Sequence, residues 1–122
     1  MTFLRIILIV ASVAIFVACQ KPRPAVHARY VPTAAERASW PKTLDEAATR
    51  LIAGMSDEEK TEVRDTPKSE LFRFHSVWGA GIRNEFGLWK GNTNLLADCH
   101  AEWADDASPV IIKAVWQKLQ KP

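Results

Sequence analysis

The sequence predicts an all-α protein, a small single-domain bundle of about four to five helices, and three observations carry that expectation. Thr33-x-x-Glu36, Thr43-x-x-Glu46 and Ser56-x-x-Glu59 each have the form of a capping box. In such a box the hydroxyl accepts from a free amide of the first helical turn while the glutamate reaches back to the cap amide. Apolar residues recur at spacings of three and four along most of the chain from Leu44 onward, the period of one helical face. No four-residue stretch combines strand alternation with turn chemistry on both sides.

Taken in order, a short helix begins at Ala34 and is stopped by Pro41, because proline disfavours helix for the residue before it. Leu44, Ala47, Ala48, Leu51, Ile52 and Met55 form one face of the next helix, ended by Gly54 or the following turn. Asp57 to Arg64 is short and charged, with Val63 its one core candidate and acids leading where the helix dipole favours them. Thr66-Pro67 opens what the pattern makes the longest and most central helix, with the stripe Leu71, Phe74 or His75, Trp78, Ile82 and Phe86, broadened by Phe72 and Val77. Proline suits its first position, where no amide donor is missed. Gly79 and Gly81 inside that stripe cost about 2 kcal/mol relative to alanine, which points to a close crossing, a kink or a ligand approach. Gly87 stops the helix. Asn92 or Thr93 caps a helix through Leu95, Leu96, Cys99 and Trp103. Asp105-Asp106-Ala107-Ser108-Pro109 starts the last one, with Ile111, Ile112, Val115, Trp116 and Leu119 on its face and Lys118 and Lys121 at its negative end.

The bundle is preceded by a different kind of sequence. Ile6 to Ala18 is a run of 13 residues broken only by Ser12, with Arg5 before it and Cys19 after it. A run of this length is too short for a bilayer span and suits the core of a signal peptide. Phe16-Val17-Ala18-Cys19 resembles a bacterial lipoprotein signal, in which the cysteine is acylated and becomes the new N-terminus; Phe16 stands where that pattern usually has leucine. An ordinary cleaved signal peptide and an uncleaved N-terminal anchor fit the same residues. The expected organisation is therefore a signal peptide over 1–18, a lipidated Cys19 and flexible linker over 19–32, and a helical domain over 33–122. Pro22, Pro24 and Pro32 keep the linker from helix. In the lipoprotein pattern aspartate after the cysteine favours the inner membrane; Gln20 there implies the outer membrane, facing the periplasm, in a Gram-negative cell.

Removing 1–18 from the 122 residues leaves 104, with 15 Lys+Arg against 14 Asp+Glu, a net charge of +1. That near-neutral balance makes no case for a nucleic-acid partner. Lys21, Arg23 and Arg29 precede any acid in the mature chain; they keep a linker soluble, and beside an anionic membrane each would also add attraction. The sequence has no H-E-x-x-H, C-x-x-C, G-x-S-x-G, phosphate loop or EF-hand loop, and it implies no metal and no cofactor. With Cys19 acylated, Cys99 has no partner for an intramolecular disulfide.

Thr43-Leu44-Asp45-Glu46-Ala47, the long string Ile82-Arg83-Asn84-Glu85-Phe86-Gly87-Leu88-Trp89-Lys90-Gly91-Asn92, Leu95-Leu96 and Asp105-Asp106-Ala107-Ser108 together resemble an uncharacterised bacterial domain family of unknown function, with core I-R-N-x-F-G-L-W-x-G-N-x-x-L-L. The resemblance covers about residues 41–120. It implies a domain boundary and a helical fold, and no activity.

Within that string Arg83 offers a planar fork for a carboxylate or phosphate, Asn84 and Asn92 offer amides, and Trp89 a flat apolar face. That inventory suits a small anionic or peptide ligand. Equally, Arg83 can pair with Glu85 or a distant acid, the asparagines can cap backbone, and Trp89 can fill the core. Asp98-Cys99-His100 holds catalytic residue types, but neighbours on a helix point about 100° apart, so a thiolate at Cys99 needs another base such as His75. In helical phase, both His75 and Cys99 also read as core residues. Two functions follow. The first, favoured by the absent catalytic set, is a membrane-anchored lipoprotein with a helical binding module for an envelope protein or peptide, using Arg83, Asn84, Trp89 and Asn92. The second is a thiol-dependent hydrolase or transferase using Cys99 with His75.

Overall fold

The computed structural model describes residues 30–122; the signal segment, Cys19 and the linker as far as residue 29 lie outside the described residues. Among the described residues the chain forms six α-helices and one 3₁₀ helix and no strand. The helices are α1 (Ala34–Ser39), α2 (Leu44–Gly54), α3 (Asp57–Asp65), the 3₁₀ helix (Lys68–Phe74), α4 (Trp78–Glu85), α5 (Thr93–Asp98) and α6 (Ala104–Leu119). None is long and apolar enough to cross a membrane.

The caps form where the hydroxyls stand. Thr33 and Ser56 make complete boxes with Glu36 and Glu59. Thr43 makes half of one: its Oγ1 accepts from the Glu46 amide at 3.2 Å, but the Glu46 carboxylate accepts from the Lys42 amide at 3.0 Å and pairs with Arg50 at 3.1 Å. An arginine one turn along the helix competes for the carboxylate that a box needs.

The expected long central helix from Thr66 to Phe86 does not form. It divides into the 3₁₀ helix and α4, with His75–Val77 between them. In a 3₁₀ helix residues three apart eclipse, which places Leu71 directly over Phe74 so that both reach the core. Length and centrality pass to α6, which packs against α2, α3, the 3₁₀ helix and α4. The helix expected through Trp103 also ends early, at Asp98. His100 follows at φ +53°, donating to the Ala97 carbonyl at 3.0 Å, and Ala101 donates to Leu96 at 3.0 Å. That pair of bonds closes a helix end with a left-handed residue, and it leaves Trp103 to cap α6 with its ring exposed.

The core has two parts joined by α2 and α6. Ala47, Ile82, Phe86, Leu88, Leu95, Cys99, Ala107, Ile111 and Ile112 form one; Ala48, Val63 and Val115 form the other. Leu51, Phe74 and Trp78 pack against both. Adjacent alanines on α2, both fully buried, let that helix lie close to α6 and serve each part from one turn.

Candidate functional site

The Ile82–Asn92 string is the hinge from α4 to α5, and its residues are bonded into it. Phe86 ends α4 and Gly87 follows at φ +66°. The Gly87 amide donates to Asn84 at 3.4 Å and the Leu88 amide to Arg83 at 3.1 Å, the closure that requires a left-handed residue and turns a buried Leu88 inward. A Cβ on Gly87 would lie 2.2 Å from the Trp40 indole, so glycine is required twice, for backbone angle and for contact. Asn92 is buried. Its Nδ2 donates to the carbonyls of Phe86 at 2.8 Å and Pro41 at 2.9 Å, and its Oδ1 accepts from the Leu95 amide at 3.3 Å. One side chain thus ties the end of α4, the start of α5 and the segment before α2.

Arg83 is also buried, at 6% exposure. Its side chain folds back over Gly79, where a Cβ would meet Nη1 at 3.0 Å and the Ser108 hydroxyl oxygen at 3.5 Å. Nη1 donates to Ser108 Oγ at 2.8 Å. Nε lies 3.2 Å from the Asp105 carboxylate, an ion-pair distance without a directed hydrogen bond. The guanidinium carbon sits 5.0 Å from the centre of the Trp89 ring, within cation–π range. The acid paired with Arg83 is therefore a distant one, on α6, and Gly79 is explained by the guanidinium it accommodates.

Three of the four residues singled out from the sequence are thus engaged with the fold. The outward groups at this place are the open face of Trp89, 54% exposed, the carboxylate of Asp105 and the side chain of Asn84. They offer an aromatic surface, an acceptor and an amide. Ser108 and Asp105 were not singled out as Arg83's partners in the sequence, although they stand in the Asp105-Asp106-Ala107-Ser108 block of the same motif.

Cys99 and His75 lie in different settings. Cys99 is buried in the larger core, and burial, followed by the neighbouring Asp98 carboxylate, pushes its thiol up to about 11. A nucleophilic cysteine needs the opposite shift. His75 lies between the 3₁₀ helix and α4, half-buried, with its ring stacked on Phe72 at 5.6 Å and its Nδ1 shielded from water without a partner. No hydrogen bond joins the two residues. No cluster of His, Cys, Asp or Glu suited to a metal occurs among the described residues.

No curated protein and no solved structure matches the chain. One family model does, over residues 40–119, more than half of the chain. It begins at Trp40 and ends at Leu119, enclosing the Gly87–Trp40 contact, the Asn92 ties and the Arg83–Ser108 pair, and on that match the chain belongs to the family described as a domain of unknown function, DUF6794.

Proposed function

We propose that this chain is a lipid-anchored protein of the bacterial cell envelope whose helical domain is a binding module for a protein or peptide. The observation that carries the anchor is the sequence Phe16-Val17-Ala18-Cys19 at the end of a 13-residue apolar run, followed at once by a proline-broken polar tether. Acylation of Cys19 with two or more chains holds a protein stably at a bilayer, where a single chain does not. Lys21, Arg23 and Arg29 add attraction to anionic lipid of about 1 kcal/mol each. Gln20 directs the anchor to the outer membrane, facing the periplasm in a Gram-negative cell.

The binding face is the one around Trp89. The Arg83 guanidinium is buried, donates to Ser108 and lies against one face of the Trp89 ring, leaving the other face to a partner. With the Asp105 carboxylate beside it, the face suits a peptide segment bearing an apolar side chain and a cation or amide donor more than it suits a bare anion. The thiol-dependent reading has no observation in its favour, since Cys99 is buried and held protonated.

The test begins with the intact mass of the mature protein from membranes, beside Cys19→Ala. A chain starting at Cys19 with added acyl mass, lost in the variant, is the expected result; an unacylated chain or one retaining residues 1–18 removes the anchor from the reading. For the face, cross-linking in membranes is compared between wild type and Trp89→Ala. Partners lost from the variant are expected, and an unchanged set would place binding elsewhere on the domain.

A further inference from the structure

We infer that the cleft between the 3₁₀ helix and α6 binds a small amphipathic anion, an apolar body carrying one carboxylate. The cleft holds about 200 Å³, below the range of about 300–1,000 Å³ usual for sites of drug-sized ligands, so its occupant is small. Leu71, Pro109 and Ile112 supply apolar lining, with Ile112 buried and Pro109 exposed. Phe72, 79% exposed, forms a lip that burial against a ligand would shield from water.

The polar groups at the edge are all basic. Lys68 and Lys113 are exposed lining residues, one from the 3₁₀ helix and one from α6, and His75 lies beside the stacked Phe72 ring. No acid lines the cleft, and neither lysine forms an ion pair among the described residues. Arg50, Arg64, Arg73, Arg83 and Lys118 each meet a carboxylate, while Lys68 and Lys113 share their unpaired state with Arg37, Lys42, Lys60, Lys90 and Lys121. Two unmatched lysines bordering an apolar hollow attract an anion more strongly than they would in open water, because the hollow lowers the local dielectric. A sugar or a free nucleoside has too little apolar surface for this lining, and inorganic phosphate has none.

The site is separate from the Trp89 face and does not depend on the anchor. Its test is a titration of the full chain with 3-phenylpropanoate, followed by NMR of the Lys68 and Lys113 side chains, the His75 ring and the Ile112 methyls. 3-Phenylpropanol, which has the body without the charge, and inorganic phosphate, which has charge without the body, are run beside it. Saturable shifts at those four residues are expected with the acid, at about tenfold higher affinity than with either control. Lys68→Gln with Lys113→Gln should weaken the acid about tenfold and leave the thermal midpoint unchanged, since both side chains are unpaired. Equal binding of the alcohol, equal binding of phosphate, equal affinity in the double variant, or no saturable shift at the cleft would each overturn the inference.

Discussion

Ser108 is completely buried and its hydroxyl accepts one hydrogen bond, from Arg83. A guanidinium taken out of water must keep its donors occupied, and most of the cost of an unsatisfied buried donor appears when a single partner is deleted. Ser108→Ala should therefore destabilise the domain by about 1–3 kcal/mol, measured by urea denaturation. Asp105→Asn should cost less, because that carboxylate is largely exposed and water screens it. Arg83→Lys keeps the charge but cannot span serine, aspartate and indole with one planar group, so it should resemble the serine variant rather than rescue it; wild-type stability in Arg83→Lys would show that charge alone suffices. At Cys99 the sign runs with pH. Its folded-state thiol titrates near 11, above its ordinary 9.0, so the stability from burying the neutral thiol is fully present below pH 9 and is lost as pH rises toward 11. Cys99→Ser should flatten that alkaline limb. At neutral pH the folded protein should react with a thiol reagent at least about a hundredfold more slowly than the unfolded chain. The Arg83–Ser108 bond was not legible from spacing, because its partners lie 25 residues apart; what the sequence showed was a distant acid as one option and the pair of motif blocks, without which of their residues meet.

Two glycines on one helix separate what an element needs from what its neighbours need. Gly79 and Gly81 both lie in α4, and from sequence they carry the same helix penalty. A Cβ at 79 meets the Arg83 guanidinium, while at 81 it meets nothing within 4 Å. Gly81→Ala should therefore stabilise the protein by about 0.5–1 kcal/mol through helix propensity, and Gly79→Ala should fail to do so and displace Arg83 from Ser108. Equal thermal midpoints for the two variants would contradict this reading. A similar contrast holds at the helix ends. α4 closes on Gly87, whereas α5 closes on His100, a side chain in left-handed backbone. His100→Gly should gain about 0.5–1 kcal/mol, read from the denaturation midpoint. Four helix starts were legible because a capping side chain acts within one turn, and Thr33, Thr43, Ser56 and Asn92 all cap where their chemistry suggests; α4 and α6 begin on Val77 and Trp103 without a side-chain cap, and Pro67 stands one residue before its 3₁₀ helix rather than at its first position. The division at His75–Val77 was not, since Leu71, Phe74, Trp78 and Ile82 satisfy an unbroken α-helix equally well. In the fold Leu71 and Phe74 both pack against the larger core, a contact that an apolar period of three and four does not distinguish from a continuous helix.

At the scale of the molecule, α6 is the shared partner. Ala107, Ile111 and Ile112 enter one part of the core and Val115 the other, and Leu51, Phe74 and Trp78 bridge them. The two parts should not unfold separately. Tryptophan fluorescence and far-ultraviolet circular dichroism should report one coincident transition, and Ile111→Ala, with its side chain fully buried, should lower stability by about 2–5 kcal/mol. Two resolved transitions would mean that the parts are independent. The all-α class was legible from caps and period alone, but which helix stands at the centre was not, because hydrophobic stripes of similar width occur before and after the Gly87 turn.

The contact between Trp40 and Gly87 also has a mechanical meaning. Trp40 stands at the end of α1, its indole lies on the bare backbone of Gly87, and Asn92 grips the carbonyl of the next residue, Pro41. Tyr30 and Lys90 meet further out, at 4.6 Å. A pull arriving from the N-terminal side would thus be divided among the Trp40 ring on Gly87, the Asn92 bond to Pro41 and the Arg50 guanidinium of α2, which donates to the Ser39 carbonyl, so that the load enters the bundle at three points rather than one.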